Sequence, residues 1–291
     1  MSIKFENVAY EYAPNSPFAH HALKSITAAI EPNSMTAIIG ATGSGKSTLV
    51  QHLNGLLQPT EGRVLVLDTI IEPNKKSKHL KQLRARVGLV FQFPEMQLFE
   101  ETIYKDVSFG PKNFGFSEED VISNVEQSLR LVGIDESIWE RSPLNLSGGQ
   151  KRRVAIAGVL ATNPDVLVLD EPTAGLDPQG SKDMMELFVK LNKEHGKTII
   201  MVTHDMDHVL HYAENVLVLE QGNVKYDGTS EDFFNHSELL KELGFVAPKI
   251  ILLKDMLKAK GIDTDSLYDG SMTSWTLWCK VSSLGNVFVH L

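Results

Sequence analysis

The chain has 291 residues, enough for one large domain with an appendage, and its 42% hydrophobic and 22% charged content is ordinary for a globular protein. A net charge of -9 argues against a broad nucleic-acid-binding surface, although a local basic patch stays open. The single cysteine, Cys279, excludes an intrachain disulfide, and without a signal-peptide pattern or an apolar run near eighteen residues we expect any membrane role to act through a partner.

The first part of the chain predicts strands around a glycine-rich turn. Alternating residues predict two strands, IKFENVAYEY and HALKSITAAI. TAIIG, ending at Gly40, is typical of a short buried strand, and the turn after it runs into a helix whose face carries Leu49, Leu53 and Leu56. RARVGLVFQ, ending at Gln92, predicts a further strand.

The middle of the chain is helical, and strands then alternate with helices. Helical patterns run from about residue 94 to 160, and SEED predicts a helix start at Ser117. After them come VLVLD, a helix from about Pro178 to His195, TIIMVTH, a short helix, and VLVLEQGNVKYDG, which turns back around Gln221. Such alternation predicts a mostly parallel sheet that is covered on both faces.

The end of the chain has a different composition. After about Gly244, IILLKDMLKAKG is compatible with one amphipathic helix. The last segment, SMTSWTLWCKVSSLGNVFVHL, holds two of the three tryptophans and few charges, and an exposed terminus of this kind would favour aggregation. Two explanations stay open: the tail packs on a partner, or it is a foreign or frameshifted segment.

A phosphate-binding motif follows the third predicted strand. GATGSGKST matches G-x-x-x-x-G-K-[ST] between a strand and a helix, which is the context that the motif requires. Its glycines let the backbone N–H groups face phosphate oxygens, the lysine reaches the β and γ phosphates, and the serine after it holds Mg²⁺. The alternative is a flexible Gly/Ser turn. The predicted binding residues are Gly40, Thr42, Gly43, Ser44, Gly45, Lys46, Ser47 and Thr48.

Two carboxylates end the strand VLVLDE. We predict that Asp170 binds Mg²⁺ through its water shell and that Glu171 polarises an attacking water. The pattern is weak alone, because many strands end in acidic residues. Paired with the phosphate loop, it indicates a nucleotide hydrolysis site.

A second phosphate-binding geometry occurs in LSGGQKRR. It places a serine and two glycines directly before an apolar helix, where small residues leave backbone N–H groups free. One nucleotide does not need two such cradles in one subunit. The second cradle therefore suits a nucleotide held by another subunit, through Ser147, Gly148, Gly149 and Gln150.

In order, these motifs resemble those of the ATP-binding-cassette (ABC) ATPases over about residues 3–235. The series is the phosphate loop, Gln92, LSGGQ, VLVLDE, AGLD and then His204 in VTHD. The resemblance implies an α/β P-loop NTPase cassette with a RecA-like mixed or parallel sheet core, an N-terminal antiparallel β subdomain and a helical subdomain at about 94–160. It also implies a cassette over 1–235, a C-terminal dimerisation extension at 236–270 and a tail of doubtful role at 271–291.

The same resemblance implies roles for single residues. Tyr12 would stack on adenine, with Tyr10 as the less favoured choice. Gln92 would touch Mg²⁺ and the attacking water, His204 would contact the γ phosphate, and Asp177 would lie at the seam of a dimer. Two cassettes would clasp two ATP molecules head to tail. Each of these residues alone has a plain structural explanation, and it is their shared order that favours the catalytic one.

The segment FQFPEMQLFEETIYKDVSFGPKNFG is similar to its counterpart in the ATPases of energy-coupling-factor (ECF) transporters, which take up vitamins and metal ions. FQFPE looks like the second, A-prime type, which pairs with a non-identical cassette. A transmembrane coupling subunit would then dock near 93–110. Apolar anchors and acidic residues suit a partner helix that carries arginine, although half of the apolar groups could instead cover the helical subdomain. The residues in question are Met96, Leu98, Phe99, Tyr104, Glu95, Glu100 and Glu101.

We therefore predict an ATP-hydrolysing subunit of an ECF-type importer, peripheral on the cytoplasmic face of the cell membrane, with ATP and Mg²⁺ as cofactors. The predicted partners are a second, non-identical ATPase subunit, the coupling subunit and, indirectly, a substrate-binding membrane subunit, with no nucleic acid. The alternatives are a soluble mechanical ATPase acting on nucleic acid, an ATPase of another ABC transporter type, and a nucleotide-dependent interaction module. The sequence does not identify the transported substrate, because in such transporters the ATPase never touches the cargo.

Overall fold

The computed structural model describes residues 3–75 and 79–260. The chain divides into two compact units: one runs to His204 and includes Asn215–Asp227, and the other combines Asp205–Glu214 with the chain from Gly228. The predicted tail, with Cys279, and the last ten residues of the predicted extension lie outside the described residues. The boundaries 1–235 and 236–270 stay predictions.

The elements of the described residues follow the chain in this order. The strands are β1 (Ile3–Tyr12), β2 (His20–Ile30), β3 (Met35–Ile39), β4 (Glu61–Val66), β5 (Thr69–Ile71), β6 (Val87–Val90), β7 (Val166–Asp170), β8 (Thr198–Val202), β9 (Asn215–Glu220) and β10 (Asn223–Thr229). The helices are α1 (Lys46–Gln51), α2 (Leu80–Arg86), α3 (Ile103–Phe114), α4 (Glu118–Leu131), α5 (Gly148–Leu160), α6 (Pro178–Lys193), α7 (Met206–Tyr212), α8 (Ser230–Asn235), α9 (Ser237–Glu242) and α10 (Lys249–Ala259).

An antiparallel sheet in the order β2-β1-β4-β5 forms the N-terminal subdomain and confirms the predicted β architecture. Phe5, Val8, Leu23 and Ile26 are buried, while the residues between them on the same strands include exposed ones. This alternation buries one face of the sheet. The β4–β5 hairpin was not predicted from the sequence.

A second sheet has the order β10-β9-β3-β8-β7-β6. Strand β3 is parallel to both β9 and β8, and β7 is parallel to both β8 and β6. Every residue of β3 and β8 is buried, as expected for apolar strands covered on both faces. The predicted α/β core is confirmed, and the parallel pairing brings the carboxyl ends of these strands to one edge.

The region predicted to be helical contains α3, α4 and α5, together with short 3₁₀ turns at Pro94–Gln97, Glu136–Ile138 and Pro143–Asn145. The predicted helix start at SEED is correct, because the Ser117 hydroxyl accepts a hydrogen bond from the Asp120 backbone N–H at 3.1 Å. Val107, Val125 and Ile156 are fully buried, one from each helix. These helices therefore share an apolar interior.

The strand predicted from RARVGLVFQ is shorter than expected. Helix α2 continues to Arg86, and β6 covers only Val87–Val90. Arg84 donates hydrogen bonds to the carbonyl oxygens of Asn54 and Gly55 at 3.2 and 3.0 Å. These bonds join α2 to a turn about thirty positions earlier in the chain, a contact that the strand pattern did not anticipate.

The second unit contains helices α7 to α10. The Phe233 ring packs edge-on against Phe234 and Phe245, with ring centroids 5.3 and 6.5 Å apart. Helix α10 confirms the single helix expected from IILLKDMLKAKG. Among the described residues, no helix combines the length and the apolar character that a membrane crossing requires.

Leu53 and Leu56 allow a matched test of the core. The sequence pattern placed both on one helix face, but α1 ends at Gln51; Leu53 is fully buried, while Leu56 is 47% exposed. Leu53→Ala should lower the free energy of unfolding by about 3 kcal/mol because it leaves a cavity. Leu56→Ala should change it by less than about 1 kcal/mol. Denaturant unfolding of both variants checks this expectation, and equal losses would contradict the burial.

Candidate nucleotide site

The phosphate loop joins β3 to α1 and is tightly held by its lysine. Lys46 Nζ donates hydrogen bonds to the carbonyl oxygens of Gly40 and Ala41 at 2.8 and 3.0 Å. Gly40 has φ 153°, and a Cβ there would lie 2.2 Å from the Leu219 carbonyl oxygen, so a side chain cannot be accommodated. The loop therefore has the compact form that a phosphate cradle needs.

One polar atom in the loop points to a ligand. The Ser44 hydroxyl is buried and has no hydrogen-bond partner among the residues described. A buried hydroxyl without a partner is costly unless a bound group satisfies it. A phosphate oxygen would supply the missing acceptor, so the predicted role of Ser44 fits the structure.

Hard oxygen ligands meet at the end of the loop. Ser47 Oγ lies 3.2 Å from Asp170 Oδ2, which brings the loop of β3 against the end of β7. Burial raises the pKa of Asp170, and the nearby Glu171 charge adds to this, against the opposing effects of Ser47 and Lys46. A hydroxyl and a carboxylate are donors that Mg²⁺ accepts together with substrate phosphate oxygens, so these residues fit the predicted metal.

Lys46 lies close enough to Asp170 and Glu171 for their charges to act on it. Burial lowers the pKa of Lys46, while the charges of Glu171 and Asp170 favour its protonated form. The charged lysine therefore lies close to two acidic groups. Its position suits a point charge that can bind the terminal phosphates of a nucleotide.

Glu171 and His204 form a hydrogen-bonded pair. His204 Nδ1 lies 2.8 Å from Glu171 Oε1, and the Glu171 backbone N–H donates to the Val202 carbonyl oxygen at 2.9 Å. Because an ionised carboxylate only accepts, Nδ1–H donates this bond, and Nε2 is left for another partner. Glu171 has a positive φ of 49°, in the left-handed region that residues other than glycine seldom adopt.

Gln92 reaches the same sheet edge from the neighbouring strand. It follows β6 by two positions, and its side chain is exposed. Phe93, directly after it, has a positive φ of 56°. The chain therefore turns sharply after Gln92, which separates this glutamine from the segment that follows.

The LSGGQ residues form side-chain hydrogen bonds within their own motif. Ser147 Oγ accepts from the Gln150 backbone N–H at 3.3 Å, and Gln150 Oε1 accepts from the Ser147 backbone N–H at 3.1 Å. Open space lies in front of Gly148 and Gly149, where an added Cβ would meet nothing within 4 Å. This exposed helix start suits a ligand that another molecule brings.

Asp177 is exposed and caps α6. Its Oδ1 atom accepts a hydrogen bond from the Gly180 backbone N–H at 2.6 Å. The cap orients the aspartate at the start of the helix. Its predicted location at a dimer seam is a separate proposal, considered below.

Tyr12 is the more accessible of the two candidate adenine-stacking residues. It is 39% exposed, whereas Tyr10 is partly buried. Tyr10 lies edge-on to Tyr12 at 4.8 Å and to His52 at 5.2 Å. The Tyr12 hydroxyl is 3.2 Å from the Thr48 hydroxyl, so the outer ring is held beside the phosphate loop.

The sequence patterns missed Arg152 as a candidate functional residue. It is buried, with a relative exposure of 3%, two positions after the LSGGQ motif. Its spacing offered a signal, because Arg152, Ile156 and Leu160 recur every four residues and all are buried on α5. The adjacent Arg153 carries the same charge, so charge alone could not distinguish them.

Comparisons with known proteins decide the family. Residues 23–174 match the family model described as ABC transporter. The chain is 52% identical over 267 residues to the energy-coupling factor transporter ATP-binding protein EcfA2 of Enterococcus faecalis, with 92% of each chain covered. The chain belongs to the ABC transporter ATPases, among the energy-coupling factor ATP-binding proteins.

Other relatives support the same family assignment for this ABC ATPase. The EcfA2 protein of Latilactobacillus sakei is 54% identical over 246 residues, with 84% of each chain covered. The structure of cbiO1 from Clostridium perfringens, part of the ABC transporter complex cbiONQ, aligns with a TM-score of 0.72 and 42% identity over 87% of this chain and 98% of that one. The dimeric cassette MJ0796, bound to ADP and Pi in a post-hydrolysis state, aligns with a TM-score of 0.69 and 31% identity over 78% of this chain and 98% of that one.

These relatives confirm the predicted family, fold and ATPase activity. The protein is an ATP-binding subunit of an ECF-type ABC transporter, and cassettes of this family hydrolyse ATP. The alternative of a mechanical ATPase acting on nucleic acid is not favoured. The roles of individual residues stay predictions.

Tyr12 offers a test of adenine stacking. Tyr12→Ala should weaken ATP binding by about 1–3 kcal/mol, the usual contribution of one base–aromatic stack. Tyr12→Phe keeps the ring and loses only the hydrogen bond to Thr48, so its Kd should stay within about threefold of wild type. Calorimetric titration with ATP measures both variants. A loss of affinity in Tyr10→Ala but not in Tyr12→Ala would assign the stacking ring to Tyr10.

Proposed function

We propose that this ECF-type ATPase works on the cytoplasmic face of the membrane and drives uptake of vitamins or other micronutrients through a membrane coupling subunit. The observation that carries the hydrolytic part of the proposal is the Glu171–His204 pair at 2.8 Å, next to the phosphate loop and Asp170. The EcfA2 names of the relatives support the transporter type. The vitamin class comes from the resemblance to ECF transporters and defines the substrates to test.

The phosphate loop binds the nucleotide. Backbone N–H groups of the loop, the Ser44 hydroxyl and Lys46 Nζ bind phosphate oxygens. On binding, Lys46 exchanges its bonds to the loop carbonyls for bonds to phosphate. Ser47, Asp170 and Gln92 would hold Mg²⁺, which supplies positive charge that neutralises the phosphates.

Hydrolysis depends on Glu171 and His204. The Glu171 carboxylate orients and polarises the attacking water, and it is held in place by its backbone bond to Val202. His204 donates Nδ1–H to this carboxylate, and its Nε2 would donate a second N–H to bind a γ phosphate oxygen. The pair therefore aligns the water with the phosphate that it attacks.

The second half of each ATP site comes from another cassette. The LSGGQ residues at the start of α5 are exposed: Ser147, Gly148, Gly149 and Gln150. Ser147 and Gln150 hydrogen-bond to each other rather than to the phosphate loop of their own chain. The neighbour MJ0796 is dimeric with bound ADP and Pi, which supports a head-to-tail pair. We infer a non-identical partner cassette, with Asp177 at the seam.

The coupling subunit docks on the surface formed by Met96, Phe99, Glu100 and Phe109, called the docking surface below. Met96 is 82% exposed and Phe99 63% exposed, while Phe99 and Phe109 pack edge-on at 5.0 Å. Exposed methionine and aromatic side chains next to carboxylates suit an amphipathic helix that carries arginine. Glu95 does not serve this role, because its carboxylate already bonds Arg152.

Glu171→Gln tests the hydrolytic role. Loss of the carboxylate should lower ATP hydrolysis by the assembled transporter about 10²- to 10⁴-fold, because a general base is removed. ATP binding should persist, since Lys46 and the loop are intact. Glu186→Gln, at an exposed glutamate on α6 that pairs with Lys182, is the matched control and should hydrolyse ATP normally. Wild-type hydrolysis by Glu171→Gln would refute the assignment.

Met96→Glu combined with Phe99→Glu tests the docking surface. Charged residues there should abolish co-purification with the membrane subunit, because the apolar contact is lost. ATP binding by the isolated chain should be unchanged. Leu56→Glu combined with Ile122→Glu, two exposed apolar residues elsewhere, is the control and should assemble normally. Normal assembly of the Met96/Phe99 variant would refute the docking surface.

A further inference from the structure

A buried arginine ties together three segments of the cassette. Arg152 Nε and a terminal nitrogen donate to the two carboxylate oxygens of Glu95, each at 3.0 Å. Its other terminal nitrogen donates to the carbonyl oxygens of Ala174 and Pro172 at 2.7 and 3.4 Å. The guanidinium carbon also lies 5.8 Å from the centre of the Phe93 ring. Every nitrogen of the guanidinium therefore has a partner.

The three segments each carry a functional element. Arg152 itself lies in the first turn and a half of α5, the helix that begins with Gly148 after the Ser147 cap. Glu95 lies in the 3₁₀ turn Pro94–Gln97, directly before Met96 of the docking surface. The carbonyls of Pro172 and Ala174 lie between Glu171 and Asp177. Arg152 thus joins three segments: α5, called the signature helix because it begins within LSGGQ, the docking surface, and the turn after Glu171.

The physical chemistry makes this junction stiff. A bidentate guanidinium–carboxylate pair fixes both distance and orientation, and burial removes the water that would replace a broken bond. Burial alone would raise the pKa of Glu95, but the hydrogen bond and charge of Arg152 outweigh it, and the pKa lies below its ordinary value. The pair stays charged at neutral pH. Glu95 therefore cannot move away from α5 without leaving the buried Arg152 guanidinium unpaired from its carboxylate.

Arg153, the next residue on α5, forms an ion pair that is much more exposed to solvent. It is partly exposed and pairs with Asp183 of α6 at 3.3 Å. An exposed pair of this kind contributes little and does not restrain the two segments strongly. The two neighbouring arginines therefore differ in burial and in the segments that they join, while their charge is equal.

We propose that Arg152 is a positioning residue that links the docking surface to the signature helix and to the turn after Glu171, so that nucleotide binding between cassettes moves the docking surface. A nucleotide that draws in Ser147 shifts α5, and the Arg152–Glu95 pair carries this shift to Met96 and Phe99. The link transmits displacement and takes no part in the chemistry of hydrolysis. It rests on the docking surface proposed above.

Hydrogen–deuterium exchange tests the link in the full-length chain purified with its partners. In wild type, a slowly hydrolysed ATP analogue with Mg²⁺ should slow amide exchange in peptides that cover 93–101. Arg152→Gln should abolish this nucleotide dependence and, without nucleotide, raise exchange in the same peptides about tenfold or more. Its affinity for the analogue should stay within about threefold of wild type, because the phosphate loop is intact.

Two further variants keep the test decisive. Arg153→Gln removes the same charge from the same helix and should keep the full nucleotide dependence. Glu95→Gln leaves the arginine bonds to Pro172 and Ala174 in place, and it should lose the dependence as Arg152→Gln does; it decides the matter if Arg152→Gln fails to fold. The double variant, Arg152→Gln with Glu95→Gln, should lose no more of the nucleotide dependence than either single variant, because each single change already breaks the same ion pair.

Three results would overturn the proposal. They are a wild-type chain without nucleotide-dependent exchange at 93–101, a dependence that survives in Arg152→Gln and Glu95→Gln, and an equal loss in Arg153→Gln. The docking surface itself is tested separately by assembly of the Met96/Phe99 variant. Normal assembly of that variant would refute docking at this surface, whereas exchange that needs Arg152 would still establish the link within the cassette.

Discussion

Parallel pairing of β3, β8 and β7 is the constraint on which the site depends. It places the ends of three strands side by side, so that Gly40, Asp170 and His204 come from segments far apart in sequence yet share one sheet edge. The Glu171 backbone N–H bonds to Val202 of the next strand, and this fixes the carboxylate relative to the histidine. A shift in the register of any of these strands would separate the phosphate loop from its acidic partners.

In the proposed pair of cassettes, the site built on this edge is one half of a functional unit. Its own chain supplies the phosphate loop, the lysine, the acids and the histidine, while the LSGGQ residues face open space. In the proposed head-to-tail pair, closure between two cassettes would be the event that completes catalysis. Coupling to a membrane partner then needs a stiff path from that closure to the surface, and a buried, fully bonded arginine is suited to provide it.

Most of the site could be predicted because its motifs are local. The phosphate loop, the acids after β7 and the serine-capped α5 each depend on a few consecutive residues and on the element beside them. The α/β alternation could also be predicted, since β3 and β8 are buried on both faces and consist mostly of apolar residues. Boundaries were less accurate: α2 extends through Arg86, and its Arg84 bonds a turn that is distant in sequence.

The use of ATP follows from the sequence alone, through motifs whose backbone geometry is set within a few residues. The tertiary structure was needed to show that Glu95 is bonded within the chain, although the sequence favoured a partner for it, and that Arg152 rather than Arg153 makes this bond. Arg152 and Glu95 lie 57 positions apart, and their pairing depends on how α5 packs against the turn at Pro94. The spacing of Arg152, Ile156 and Leu160 indicates a shared helix face, but an ion pair between distant segments arises from packing, so no local pattern specifies the pairing with Glu95.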